Sequence, residues 1–96
     1  MIDVKEAVML AFNEVENLYG EHIFDLLLEE VEMTEDENYW LITVGFSLPN
    51  TRSGKLPGAH VSKTVAAALG RYERKYKVFK IDRRNRKVLS MKMRVA

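Results

Sequence analysis

Tyr39-Trp40-Leu41-Ile42-Thr43-Val44-Gly45-Phe46-Ser47-Leu48 is the stretch that decides the fold. Trp40, Ile42, Val44, Phe46 and Leu48 share one parity, while Thr43, Gly45 and Ser47 share the other. A period of two built from β-branched and aromatic residues is a strand with one face turned to a core. Pro49 has no N–H to offer a ladder and ends the run.

Working upstream, Thr34-Glu35-Asp36-Glu37-Asn38 is a polar stretch between two apolar runs and reads as a hairpin loop. The run before it, residues 22–33, alternates at Phe24, Leu26 and Leu28, then changes phase so that Val31 and Met33 continue the apolar set. Such a phase change predicts a β-bulge near residues 28–30, with two short strands as the other reading. Further upstream, Val4, Ala7, Val8, Ala11, Val15, Leu18 and Tyr19 recur at helical spacing, with Met9, Leu10 and Phe12 widening the stripe. Asp3 is placed as the N-cap, Glu6 completes a capping-box-like pair, and Gly20 is placed to end the helix at positive φ.

Downstream, residues 49–58 hold Asn50, Ser53, Gly54, Pro57 and Gly58, a loop by composition. Residues 61–69 fit either a short helix capped by Ser62, with Val65, Ala66 and Leu69 inward, or a rim segment that orders on binding. A second hairpin closes the chain. In its first strand, residues 72–82, Tyr76 and Val78 lie on one side and Phe79 and Ile81 on the other. Arg83-Arg84-Asn85-Arg86 forms the turn, with Asn85 the expected positive-φ residue. In the return strand Leu89, Met91, Met93 and Val95 share a face opposite Ser90, Lys92 and Arg94. The expectation is an α+β domain spanning residues 1–96: an N-terminal amphipathic helix packed on a four-stranded antiparallel sheet, with the second sheet face partly open.

The 96 residues suffice for one core, and 47% apolar with 30% charged residues is an ordinary globular balance. There are no cysteines, which removes disulfides, thiolate metal sites and cysteine nucleophiles and leans towards a reducing compartment. No apolar run has the length of a membrane span, and Met1-Ile2-Asp3 lacks a basic leader. A cytoplasmic protein without a membrane role is expected.

The net charge of +1 conceals a polarity. Residues 1–50 hold twelve acids and one base, Lys5; residues 51–96 hold fourteen bases and two acids, Glu73 and Asp82. Such asymmetry flags an acidic partner or nucleic acid. The plainer account is that strands from the two halves pair and gain cross-strand complementarity. That account leads, because the charges fall on pairing elements and not on tails.

Tyr76-Lys77-Val78-Phe79-Lys80-Ile81-Asp82, a polar turn, and Lys87-Val88-Leu89-Ser90 together resemble the C-terminal hairpin of PepSY-type domains. The helix and hairpin before it are similar in order to that cystatin-like arrangement. The chain departs from the pattern in the turn, where Asn85-Arg86 stands in place of a usual Gly. Those domains typically occur in exported or envelope proteins. The resemblance implies a small binding or inhibitory module and carries over no catalytic residue.

Chemistry-bearing motifs are sparse. His22 and His60 sit in neither HxxxH nor HExxH spacing, so no metal site is expected. There is no GxSxG elbow, and Ser53-Gly54-Lys55 lacks the remainder of a phosphate loop. The acids Glu29, Glu30, Glu32, Glu35, Asp36 and Glu37 read as a solvated edge before they read as a general acid/base pair. No catalytic residue and no cofactor are expected.

Arg71, Arg74, Lys75, Lys77, Lys80, Arg83, Arg84, Arg86, Lys87, Lys92 and Arg94 crowd the last hairpin, interleaved with Tyr72, Tyr76 and Phe79. Two functions follow. The first is a non-enzymatic interaction module, an inhibitor, immunity-type protein or accessory subunit, engaging an unknown protein or a second copy of itself. Its candidate contact residues are Arg52, Lys55, Arg74, Lys77, Arg83, Arg84, Arg86 and Lys87, beside a partly apolar second face at Tyr39, Leu41, Tyr76 and Val78. The alternative is a basic β-ribbon that grips phosphates and stacks bases. No RNP, KH or helix-turn-helix signature accompanies that ribbon.

Overall fold

The computed structural model describes residues 1–49 and 72–94. The loop and undecided stretch at 50–71, with Arg52, Lys55, His60 and Arg71, and the final residues Val95 and Ala96 lie outside the described residues. Helix α1 runs Val4–Tyr19, followed by a single 3-10 turn at Gly20–His22. Four strands follow: β1 (Phe24–Met33), β2 (Tyr39–Pro49), β3 (Tyr72–Asp82) and β4 (Val88–Met93). They form one sheet in the order β1-β2-β3-β4, antiparallel throughout, with α1 against one face. The expected α+β architecture is the one observed. No described helix is long and apolar enough to cross a membrane.

Helix α1 begins as expected, with the Glu6 amide donating to Asp3 Oδ1 at 2.9 Å. The reciprocal half of the capping box does not form, because the Glu6 carboxylate turns to Arg86 Nε at 2.8 Å. Gly20 adopts φ +76 with an extended ψ of −158, a positive-φ stop that leads into the 3-10 turn. His22 belongs to that turn, so β1 starts two residues later than the sequence suggests.

Ala7, Ala11 and Val15 are fully buried, and two alanines on the contact line let α1 approach the sheet closely. Val4 and Leu18 end the same stripe and are 37% and 54% exposed, while Met9 points off it at 63%. The expected buried stripe is therefore shorter at both ends. Across it lie Ile42, Val44 and Phe46 of β2 with Phe79 and Ile81 of β3, all buried. Tyr19 packs on Phe46 with ring centroids 4.9 Å apart. Phe79 is a core residue and not one of the exposed aromatics of the hairpin, because register places it beside Ile42 under the helix.

The bulge expected at residues 28–30 is present: Leu28 pairs with Val44 but Glu30 with Thr43, leaving Glu29 as the extra residue. A second irregularity between Phe24 and Leu27 contains Asp25 at φ +52 and had no counterpart in the apolar pattern. In the last hairpin positive φ falls on Arg86 (+65), one residue after the expected Asn85. The reason is the hydrogen bonding of the turn. Asp82 Oδ1 accepts from the amides of Arg84 (2.7 Å) and Asn85 (3.2 Å), holding Asn85 within the first bend. The Arg86 amide then closes on the Asp82 carbonyl at 3.1 Å. A bulge follows, since Lys80 pairs with Ser90 but Ile81 with Val88. Leu89 is the extra residue, so Val88 takes the core-side position expected of Leu89.

A candidate interaction face

The pleat and register assign every side chain on the sheet face away from α1. β2 presents Leu41, Thr43, Gly45 and Ser47 there, and three cross-strand rows can be read. Glu32, Leu41, Lys80 and Ser90 form one row; Glu30, Thr43, Val78 and Lys92 the next; Leu27, Gly45 and Tyr76 the third. Acids stand on the β1 side and bases on the β3–β4 side, with an apolar middle. Tyr39, Leu41, Tyr76 and Val78, expected to make this face partly apolar, all lie on it and are all half-buried.

Two ion pairs span the face from the acidic to the basic half. Arg74 Nη2 lies 3.3 Å from Glu29 Oε1, and Arg94 Nη1 lies 3.1 Å from Glu30 Oε2. Arg74 also donates to the Ser47 hydroxyl at 3.1 Å and the Asp25 carbonyl at 2.6 Å, its guanidinium 5.8 Å from the Tyr76 ring centre. This canopy explains why Ser47 is only 1% exposed on a sheet face that no described element covers. It explains Gly45 too. A Cβ at that position would stand 2.6 Å from Glu29 Oε1 and 2.8 Å from Arg74 Nη2, so the glycine is what lets the pair lie on the backbone. With Glu6–Arg86 at the helix start, the charge asymmetry of the sequence is thus partly satisfied between the protein's own halves.

Beyond the canopy, no described element covers the face. A shallow groove of about 520 Å³ is lined by Leu41, Val78, Lys80, Ser90, Lys92 and Arg94, among others. Lys80 Nζ sits 4.4 Å from the centre of the Tyr39 ring, and Lys92 projects into solvent. A larger hollow of about 780 Å³ lies where α1 meets the start of β1, among Glu16, Glu21 and Asp25. Its carboxylates do not converge: among the described residues no group of three or more His, Asp or Glu side chains is placed to hold a metal ion. The open face is the better site because it combines apolar area with charge of both signs.

The contact residues expected from sequence do not meet in one patch. Arg74 lies on the face but is held flat against it in its ion pair, and Lys77 stands on the opposite side of the sheet, paired with Val44. Arg83, Arg84, Arg86 and Lys87 cluster at the hairpin turn, but two of them are structurally committed. Arg83 donates to the Glu37 carbonyl and to Met33 Sδ (3.4 Å) and lies 5.4 Å from the centre of the Trp40 ring. Its own backbone joins the turn to the chain start and to the other turn, through Ile2 N (2.9 Å) and Asn38 O (3.0 Å). Arg86 holds Glu6. Arg84 and Lys87 remain exposed. Lys80, Lys92 and Arg94, counted in the hairpin's charge but not among the expected contacts, are the bases that border the groove. Their parity with Val78 was the available signal.

One carboxyl has a displaced pKa. The Thr34 hydroxyl at 2.6 Å and the Asn38 amide at 3.0 Å hold Asp36 below its ordinary value by hydrogen-bonding its charged form. That is turn chemistry, matching Glu37 at φ +61 in the same loop. Compared with known proteins, the chain matches no family model, no curated protein and no solved structure.

Proposed function

We propose that this chain is a non-enzymatic interaction module of the cytoplasm that binds a protein through the sheet face opposite α1. One observation carries the reading: a face covered by no described element, whose half-buried apolar centre, Tyr39, Leu41, Tyr76 and Val78, is bordered by acids on one side and bases on the other. Apolar centres with polar rims are what protein interfaces bury, and a two-signed rim orients an encounter more than it strengthens it. Neither catalysis nor a cofactor is part of the reading. The carboxylates Glu29 and Glu30 of the face are tied up in ion pairs, and its bases border apolar area instead of a reacting centre. The resemblance of the last hairpin to PepSY-type, cystatin-like domains points the same way, towards an inhibitor, an immunity-type protein or an accessory subunit.

Nucleic acid is the weaker partner class. A stacking ribbon needs exposed aromatics and free cations. Here Phe79 is in the core, Arg74, Arg86 and Arg94 already hold carboxylates, and Tyr72 is left as the one hairpin aromatic that is exposed (48%), with one edge against Phe24 at a ring-centroid distance of 5.9 Å. The test is affinity capture of the tagged full chain from its host lysate, with and without nuclease. A stoichiometric protein retained after nuclease is expected. Capture of nucleic acid alone, lost on nuclease treatment, would overturn the proposal.

A further inference from the structure

The charge on the open face is not only two-signed but antisymmetric about the sheet's centre line. Glu32 borders it on β1, Lys80 and Lys92 border it on β3 and β4, and Leu41 and Val78 lie between, while Glu30 and Arg94 neutralise each other across it. Consider two copies stacked face to face. A twofold axis parallel to the strands, midway between the sheets, carries the β1 side of each copy over the β4 side of the other. Acids then meet bases twice, and the apolar centres meet each other. A twofold axis in the sheet plane but perpendicular to the strands would set acid on acid and base on base. Of these two isologous arrangements, the first satisfies the charges.

The edges argue against the alternative of strand-to-strand association. β1 is broken by two irregularities and lined by Glu29, Glu30 and Glu32, while β4 carries a bulge at Leu89 and Lys92 beside it. Bulges and edge charges discourage pairing, and like edges would repel. We propose that this face is a homodimer interface, with the acidic β1 border of each copy against the basic β3–β4 border of the other around the Leu41–Val78 centre. The inference rests on the interaction reading above and names its partner as a second copy. The sheets would pack aligned, in the manner of a β-sandwich. With strands about 4.8 Å apart and about 3.4 Å per residue, the face projects roughly 400 Å² per copy. That is small for an obligate interface, so the dimer dissociates on dilution.

Glu32 and Lys92 are exposed and belong to none of the ion pairs among the described residues, which makes them the cleanest probes. Sedimentation equilibrium of the full chain, Glu32→Lys, Lys92→Glu and the double variant tests the geometry, with circular dichroism confirming the fold. Across that axis Glu32 lies diagonally from Lys92 of the other copy, one row away, so each single variant brings like charges near each other twice in its own dimer and should dimerise about threefold more weakly. The double variant restores opposite signs and should recover. The two single variants mixed together should form a heterodimer as tight as the original, since an acid would again face a base at both symmetry-related contacts. A wild-type chain that stays monomeric at every concentration overturns the inference, as does a dimer indifferent to these reversals. The unmodified chain gives a second readout: methyl NMR signals of Leu41 and Val78 should shift with concentration, and shifts confined elsewhere overturn it. A monomer that still captures a protein through this face would leave the interaction reading standing and sink only the dimer.

Discussion

Arg83→Ala should cost folding stability, and the cost can be worked from its contacts. The guanidinium donates to the Glu37 carbonyl, a charge-assisted bond worth about 1.5–3 kcal/mol. Its place over the Trp40 ring adds about 0.5–1 kcal/mol. Opposing these, an ordered Arg forfeits about 2 kcal/mol of rotamer entropy, and its Nε is buried without an acceptor, a desolvation that alanine avoids. The backbone bonds of residue 83 to Ile2 and Asn38 survive the substitution. The contacts less the rotamer entropy leave about 1 kcal/mol, and the buried Nε reduces it further, so the net loss is at most about 1 kcal/mol and lowers Tm by at most about 4–8 °C. Thermal unfolding followed by circular dichroism reads it directly. Arg83→Lys should fall nearer to Ala than to the parent, because a point ammonium cannot both stack on Trp40 and reach the carbonyl. Arg84→Ala, at an exposed position in the same turn, should change stability by no more than about 0.5 kcal/mol. An Arg83→Ala midpoint unchanged within error, or an Arg84→Ala loss of equal size, would refute the assignment of Arg83 as the clasp between the two turns.

Gly45→Val should displace the Arg74–Glu29 pair and destabilise the sheet by about 1–3 kcal/mol in chemical unfolding, the range for overpacking. Removing the pair alone through Glu29→Gln should cost under about 1 kcal/mol, since both side chains are partly exposed. Phe79→Ala should cost about 3–5 kcal/mol by the same measurement, as expected of a fully buried aromatic and not of a stacking platform. The depressed pKa of Asp36 implies a pH dependence of definite sign. Its contribution is fully present above the ordinary carboxylate value and is lost as pH falls through the lower folded value. Acid unfolding of Asp36→Asn should therefore lack that component, and an identical acid limb would contradict the role of the turn bonds.

The elements were legible because each is declared by a local period: two in residues 39–48, 3.6 in the first helix, and a phase slip at the Leu28–Glu30 bulge. What stayed hidden depends on hydrogen bonds between residues that the period does not couple. Asp82 captures two amides and so moves positive φ from Asn85 to Arg86; the bulge at Leu89 then exchanges it with Val88. The open face was legible in its apolar part, since Leu41 and Val78 follow from parity alone. Its canopy was not. Arg74 meets Glu29 only because β2 pairs with β3 in one register, bringing residues 45 apart in sequence across a glycine. The same long-range register turns Arg83 from a candidate contact into part of the scaffold, and promotes Lys80, Lys92 and Arg94 to the rim of the groove.

The most direct test of the central claim compares two substitutions on opposite parts of the molecule in the nuclease-treated capture. Val78→Glu places a charge at the apolar centre of the open face, and Arg84→Glu with Lys87→Glu reverses the exposed bases of the turn. Both variants should remain folded, because Val78 lies outside the buried core and Arg84 and Lys87 are exposed. Loss of the captured protein with Val78→Glu and its retention with the turn variant is the predicted result. Retention with Val78→Glu and loss with the turn variant would contradict the account and move the site to the basic turn.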